Sequence, residues 1–216
     1  MKLIDSFGPN PRVVRMFIAE KDITLPSEQV DILAGDNRKE GYLKRNPGGQ
    51  MPALELDDGS FIAETAVICE YLEEKYPDHT RIGKTAEERA HARLWQRRVE
   101  LNITENMYNG FRYAEGYEMF KDRLHCIPAA AADLKAVAQE KLKWLDSLMG
   151  NQPFICGNEP RFVDITLYCC LDFMQGVGQA LNPDLKNIGA WFARMAARPS
   201  AAASLHPASE QVKMRG

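Results

Sequence analysis

The hydrophobic and polar positions change period along the chain. Lys2 to Asp5 reads as a short strand, Pro11 to Lys21 carries Val13, Val14, Phe17 and Ile18 at helical spacing, and Glu28 to Ile32 returns to strand character. A short helix is expected near Lys39 to Lys44. The turn-rich run Asn46 to Pro52 then leads into a strand over Ala53 to Leu56, and Asp57-Asp58-Gly59-Ser60 supplies turn residues before Phe61 to Ala63, which predicts a β-hairpin. Ala63-Glu64-Thr65 opens a helix whose Ala66, Ile68, Cys69, Tyr71 and Leu72 form one apolar stripe ending before Pro77. Beyond that point strand patterns cease. Helices are expected over Thr85 to about Tyr113, with Ala90, Leu94, Val99 and Leu101 on the apolar side, and over Ala129 to Met149, Arg161 to Val177 and Ile188 to Ala197. Gly150 and Pro199 stop the second and the last of these. The pattern predicts a small α/β domain over residues 1–78 and an all-helical domain over 85–216, with the boundary near Pro77 to Lys84.

Composition narrows the function classes. The 216 residues are 45% hydrophobic and 26% charged, which is ordinary for a globular protein. With 27 Lys and Arg against 30 Asp and Glu, the net charge of −3 gives no basic field to gather phosphates, so nucleic acid is not an expected partner. Apolar runs such as Ile165 to Leu171 fall far short of the roughly 20 residues of a bilayer span, so no membrane association is expected. An acid at the fifth residue argues against a signal peptide, and the expected location is the cytoplasm. Five cysteines (Cys69, Cys126, Cys156, Cys169, Cys170) lack zinc or redox spacing and read as reduced, mostly buried thiols, and the isolated histidines predict no metal site.

Two local features carry candidate chemistry. Gln50-Met51-Pro52 stands just before a strand, where a cis bond to Pro52 would leave the Met51 N–H and C=O facing outward to grip a peptide. A trans proline marking the first strand residue is the other reading. Glu64-Thr65 begins a helix, where a hydroxyl and backbone N–H groups can bind a carboxylate and Glu64 can pair with an ammonium group. An ordinary helix cap accounts for the same residues.

The ordered combination of strand and helix, Asn46-Pro47-Gly48-Gly49-Gln50-Met51-Pro52-Ala53-Leu54, a hairpin, Ala63-Glu64-Thr65-Ala66-Val67-Ile68-Cys69-Glu70-Tyr71-Leu72 and a helical remainder resembles the cytosolic glutathione transferases along essentially the whole chain. The resemblance implies an α/β thioredoxin-like N-terminal domain plus an all-α helical C-terminal domain, glutathione as co-substrate, a small hydrophobic electrophile as partner, a homodimer and a role in detoxification. It further implies that the Met51 main chain, with Pro52 cis, holds the cysteinyl residue. Glu64 and Thr65 would hold the γ-glutamyl end, Gln50 and Arg38 the glycine end, and Tyr108, Phe111 and Tyr113 would line the electrophile site.

The sequence departs from this family at the position that activates the thiol. A free thiol has a pKa near 8.5, so the anion needs stabilisation at neutral pH. Where theta-like members carry serine this chain has Gly8, and where beta-like members carry cysteine it has Asn10. Gly8-Pro9-Asn10-Pro11 resembles a string of nu-like bacterial members in which the asparagine is important. Asn10 is therefore one candidate for stabilising the thiolate, and Ser6, just after the first strand, is the other. Three activities remain open at this level: conjugation of glutathione to an electrophile, glutathione-dependent reduction of disulfides or peroxides, and a non-catalytic interaction module.

Overall fold

A computed structural model describes all residues, 1–216. The chain divides into two compact units, one formed by Met1–Ile82 together with Arg198–Gly216, the other by Gly83–Ala197. The sequence reading grouped residues 198–216 with the helical domain. The contacts instead assign them to the first unit, because Arg12 and Glu20, both on the first helix, form hydrogen bonds with residues from Arg198 onward.

The first unit is built on strands β1 (Lys2–Asp5), β2 (Ser27–Gln29), β3 (Ala53–Glu55) and β4 (Phe61–Ala63), in the order β2-β1-β3-β4. β1 and β2 are parallel, while β3 runs antiparallel to both β1 and β4. Helix α1 (Pro9–Glu20) makes the β1 to β2 crossover, burying Val13, Val14, Met16 and Phe17. A 3-10 turn (Asp36–Arg38) and the short α2 (Glu40–Leu43) precede β3, and α3 (Thr65–Lys75) follows β4 with Ile68, Cys69 and Leu72 buried. Beneath the sheet, Ile4, Tyr42, Met51 and Ala53 pack with Val30, Ile32 and Phe61. The unit closes with α10 (Pro199–Ala203), packed on α1, and α11 (Ser209–Val212).

Two buried carboxylates tie the first unit together. Glu73 on α3 accepts from Lys21 Nζ at 2.8 Å, from the Thr80 hydroxyl and from the Arg81 and Ile82 N–H groups. Glu20 accepts from Arg198 Nε and Nη2 at 2.6 and 2.7 Å and from the Ser200 hydroxyl, and pairs with Arg81. Burial raises each carboxyl, but these hydrogen bonds outweigh it and the net shift is downward.

In the second unit, the expected long helix comprises α4 (Ala86–Val99), a wide π turn (Glu100–Thr104) and α5 (Glu105–Arg112). Its start is capped: the Thr85 hydroxyl accepts from Glu88 N–H at 3.2 Å. The buried stripe is Ala92, Gln96, Val99 and Ile103, so Val99 alone of the expected stripe is buried, and Leu94 and Leu101 are 44% and 58% exposed. The helices that follow are α6 (Tyr117–Phe120), α7 (Ala131–Met149), α8 (Phe162–Gly176) and α9 (Lys186–Ala196), with a 3-10 turn (Pro128–Ala130) leading into α7.

Helix α8 is buried from Phe162 to Met174. Arg161, at its N-cap, has no side-chain acceptor to complete a capping box. Asp164 satisfies the helix start instead, accepting from Arg161 N–H at 2.8 Å, Ile155 N–H at 3.0 Å and Trp191 Nε1 at 2.8 Å. No helix is long and apolar enough to cross a membrane.

Candidate active site

Strand register gathers the candidate residues of the first unit at one edge of its sheet. Ile4 pairs with Ala53, and Ala53 with Ala63, so the end of β1, the start of β3 and the end of β4 form one row. The chain therefore leaves β1 into Ser6–Asn10, enters β3 from Gln50-Met51-Pro52 and leaves β4 into Glu64-Thr65 at the same edge. Strands lie roughly 4.8 Å apart, so the row spans about 10 Å, which is the length of an extended tripeptide.

At the centre of the row, the Met51–Pro52 peptide is cis. The Met51 side chain is buried in the core, while its backbone N–H and C=O have no hydrogen-bond partner. The preceding peptide is fixed from below: the Gln50 carbonyl accepts from Tyr42 Oη at 2.6 Å and Asn46 Nδ2 at 2.9 Å, leaving the exposed Gln50 side chain free. Gly49 has a φ of +60°, and a Cβ there would come within 2.9 Å of Arg38 Nη1 and 3.2 Å of the Asn37 carbonyl, so only glycine lets Arg38 approach this turn. Arg38 Nε is buried without a partner, and Asn37 Nδ2 donates to the Gly49 carbonyl at 2.7 Å.

One end of the row is the β4–α3 junction. Glu64 has a φ of 67°, in the left-handed region, and its side chain makes no capping hydrogen bond. This sharp backbone turn lifts Glu64 out to solvent and exposes the N-terminal amides of α3, which begins at Thr65. Negative charge is favoured at such an end, and the free carboxylate of Glu64 beside it favours an ammonium group, so the pair suits an amino acid head group carrying both.

At the other end, α1 starts with a restricted set of donors. Pro9 and Pro11 have no N–H, and the Arg12 N–H is bonded to the Gly8 carbonyl at 3.1 Å. Of the first four helical residues, Asn10 alone offers a free N–H, and its half-buried carboxamide has no partner either. Ser6 differs: it is 1% exposed, and its hydroxyl donates to the Val30 carbonyl at 2.7 Å. Burial pushes the Cys156 and Cys170 thiols up to about 12, so neither of these two is poised to react.

Of the three aromatic residues expected at an electrophile site, Tyr108 and Phe111 are 7% exposed and Tyr113 is half-buried. Phe111 stacks edge-on with Phe120 and Phe173, and Arg112 lies over the Tyr108 and Phe120 rings. Burial, with the Cys170 thiol beside it, raises the Tyr108 phenol well above its ordinary value, so it remains protonated. Sequence reasoning missed the supports of the site: Tyr42 and Asn37 under the Gln50 turn, and Arg12 and Arg15 behind Asn10. Asn46 stood in the motif without a role, and the buried polar residues around it gave no periodic signal.

This edge, with its cis-proline turn and a peptide-length row of unpaired backbone and side-chain groups, belongs to a thioredoxin-like unit that the chain joins to a helical one. Comparison with known proteins gives the family. Residues 7–75 match the glutathione S-transferase N-terminal domain and residues 128–194 the C-terminal domain. A glutathione S-transferase domain-containing protein of Marinobacter aquaeolei VT8 is 31% identical, with 93% of this chain and 99% of that one covered and a TM-score of 0.87. Gtt2 from Saccharomyces cerevisiae is 27% identical over 95% of this chain and 100% of its own, with a TM-score of 0.88. Maleylacetoacetate isomerase of Pseudomonas aeruginosa is 27% identical over 91% of each chain. The chain belongs to the glutathione S-transferase family, an enzyme family whose co-substrate is glutathione.

Proposed function

We propose that the chain activates the thiol of glutathione and transfers the tripeptide to a small hydrophobic electrophile. The observation that carries this reading is the shared sheet edge, where unpaired Met51 backbone groups stand beside an Asn10 carboxamide that has no partner. In this reading Met51 pairs with the cysteinyl backbone, Glu64 and Thr65 hold the γ-glutamyl ammonium and carboxylate, and Arg38 and Gln50 take the glycine carboxylate. The thiol then lies at the start of α1, where the Asn10 amides and the helix dipole favour the anion. The thiolate attacks an electrophilic carbon, the carbon–sulfur bond forms, and the leaving group departs with its electron pair. Tyr113 is the most accessible of the three aromatic residues that the family resemblance assigns to the electrophile.

The test is turnover of glutathione with an activated aryl chloride, alongside the absorbance of the bound thiolate against pH. Conjugate formation with a thiol ionising below its free value supports the reading, and binding with an unshifted thiol overturns it. The Gly8-Pro9-Asn10-Pro11 turn, which resembles that of nu-like members, favours glutathione-dependent reduction of a disulfide as the second reading. Preferential turnover of a disulfide substrate over the aryl chloride would select it.

The same proposal extends to a cytoplasmic homodimer that detoxifies electrophiles. For the homodimer the support is the apolar pair Leu94 and Leu101, both exposed and seven residues apart in the sequence.

A further inference from the structure

Within the first unit, the closing segment Ser204–Gly216 reaches the turn that carries Asn10. Arg12, two residues beyond Asn10, is fully buried. Its Nε donates to Ser204 Oγ at 3.3 Å, Nη2 to the Ala201 carbonyl at 3.1 Å and Nη1 to the Arg215 carbonyl at 3.2 Å. Arg15 continues the clamp, with Nη1 donating to Asp5 Oδ1 at 2.5 Å and the Ser6 carbonyl at 3.0 Å, and Nε to the Ser204 carbonyl at 2.8 Å.

The far end of the segment sits on the turn itself. Gly216 packs so closely that a Cβ would lie 2.5 Å from the Phe7 ring and 2.7 Å from the Gly8 nitrogen. Its carbonyl accepts from His206 N–H at 2.8 Å and Ser209 Oγ at 3.0 Å, and the His206 ring meets Phe7 edge-on with centroids 6.1 Å apart. The turn is thus gripped on both sides, while the polar groups of Asn10 are left free. A buried guanidinium is tolerated only where its hydrogen bonds are made, and these acceptors are spread from Ala201 to Arg215. Arg12 therefore couples the first turn of α1 to the seating of Gly216.

Hydrogen bonds to a developing or resting anion depend steeply on donor placement. We infer that the closing segment, held by Arg12 and seated through Gly216 on Phe7 and Gly8, fixes the position of Asn10, so that Arg12 and Gly216 are positioning residues for the glutathione thiol. This rests on the reading that Asn10 stabilises the thiolate.

The experiment compares wild type, Gly216→Ala, Arg12→Lys and Asn10→Ala in three measurements: thiolate absorbance of bound glutathione against pH, affinity for S-methylglutathione, and thermal midpoint. The methylated tripeptide carries no anion and reports binding alone. Gly216→Ala is expected to raise the pH of half-ionisation by about half a unit, a roughly threefold loss of thiolate below that pH, with affinity for S-methylglutathione unchanged. Arg12→Lys, which keeps the charge but loses the fork, is expected to raise it by about one unit. If Arg12→Lys does not fold, Gly216→Ala decides. A wild-type profile in Gly216→Ala, with Asn10→Ala shifted, overturns this inference and leaves the role of Asn10 standing. An unshifted Asn10→Ala overturns both.

Discussion

The Ser6 hydroxyl donates to the Val30 carbonyl at 2.7 Å, tying the exit of β1 to the exit of the neighbouring β2. That bond commits the one hydroxyl near the turn to the scaffold and leaves Asn10 as the side chain free to meet a ligand. Ser6→Ala is expected to cost about 1 kcal/mol of stability and leave the ionisation of bound glutathione unchanged. Asn10→Ala is expected to lower turnover at neutral pH by about ten- to a hundredfold and raise the thiol pKa, with an intact thermal midpoint in an Asn10→Ser control. Loss of thiol ionisation in Ser6→Ala, with Asn10→Ala unaffected, would reverse the assignment.

Glu64 and Thr65 make no side-chain hydrogen bonds within the protein. Replacing either by alanine is therefore expected to spare the thermal midpoint while weakening glutathione binding by about 1.5 to 3 kcal/mol, ten- to a hundredfold in Kd. Calorimetric titration of both variants checks this, and unchanged affinity in each removes them from the site.

Acid is expected to unfold the first unit through Glu73 and Glu20. Both carboxyls titrate below their ordinary value of 4.5 in the folded chain. The stability they contribute is complete above about pH 4.5 and is lost as the pH falls through the lowered folded values. Glu73→Gln leaves the Lys21 ammonium buried without its counter-charge, so it is expected to cost about 3 to 5 kcal/mol at neutral pH and to flatten the acid limb. Urea midpoints across the acid range provide the measurement.

Asp164 works in the opposite direction. Burial raises it to about 6 against its three hydrogen bonds, so the folded chain holds that proton more tightly than the unfolded one does. Its contribution to stability therefore grows as the pH falls from about 6 toward 4 and is lost as the pH rises through 6. A second unit unfolded by urea at pH 7 and pH 5 is expected to show this component in wild type and to lack it in Asp164→Asn.

If Leu94 and Leu101 face a second copy of the chain, a charge there is expected to separate the copies. Sedimentation equilibrium of Leu101→Glu is expected to give the mass of one chain where wild type gives two. A wild-type mass of one chain at micromolar concentration refutes the homodimer.

Much of this fold was legible because its signals are local. Pro77, Gly150 and Pro199 punctuate the helices where the chain breaks them, and Asn46 to Leu54 announces the turn into β3. What was hidden depends on distant partners. The face of α4 that packs on α8 carries the polar Gln96, whose amide donates to the Thr166 hydroxyl at 3.0 Å, so the exposed leucines Leu94 and Leu101 imitate the buried stripe. Arg12 reads as the polar residue of an amphipathic helix, and only the return of residues 198–216 shows that it is buried. The candidate residues of the glutathione site stood in motifs, but the neutral role of Ser6 required the β1–β2 pairing to be known.

The bond from Trp191 to Asp164 has a practical side. All three tryptophans, Trp95, Trp144 and Trp191, belong to the helical unit, and only Trp191 is fully buried. The unit that holds the glutathione edge contains none and is optically silent in intrinsic tryptophan emission. A fluorescence melt of this protein follows one half of the molecule, where Trp191 leaves the Asp164 carboxylate and the Trp95–Trp144 ring contact is lost. Watching the other half demands a reporter of its own, and the half-buried Phe61 at the start of β4, on the strand end away from the candidate edge, is the place to install one.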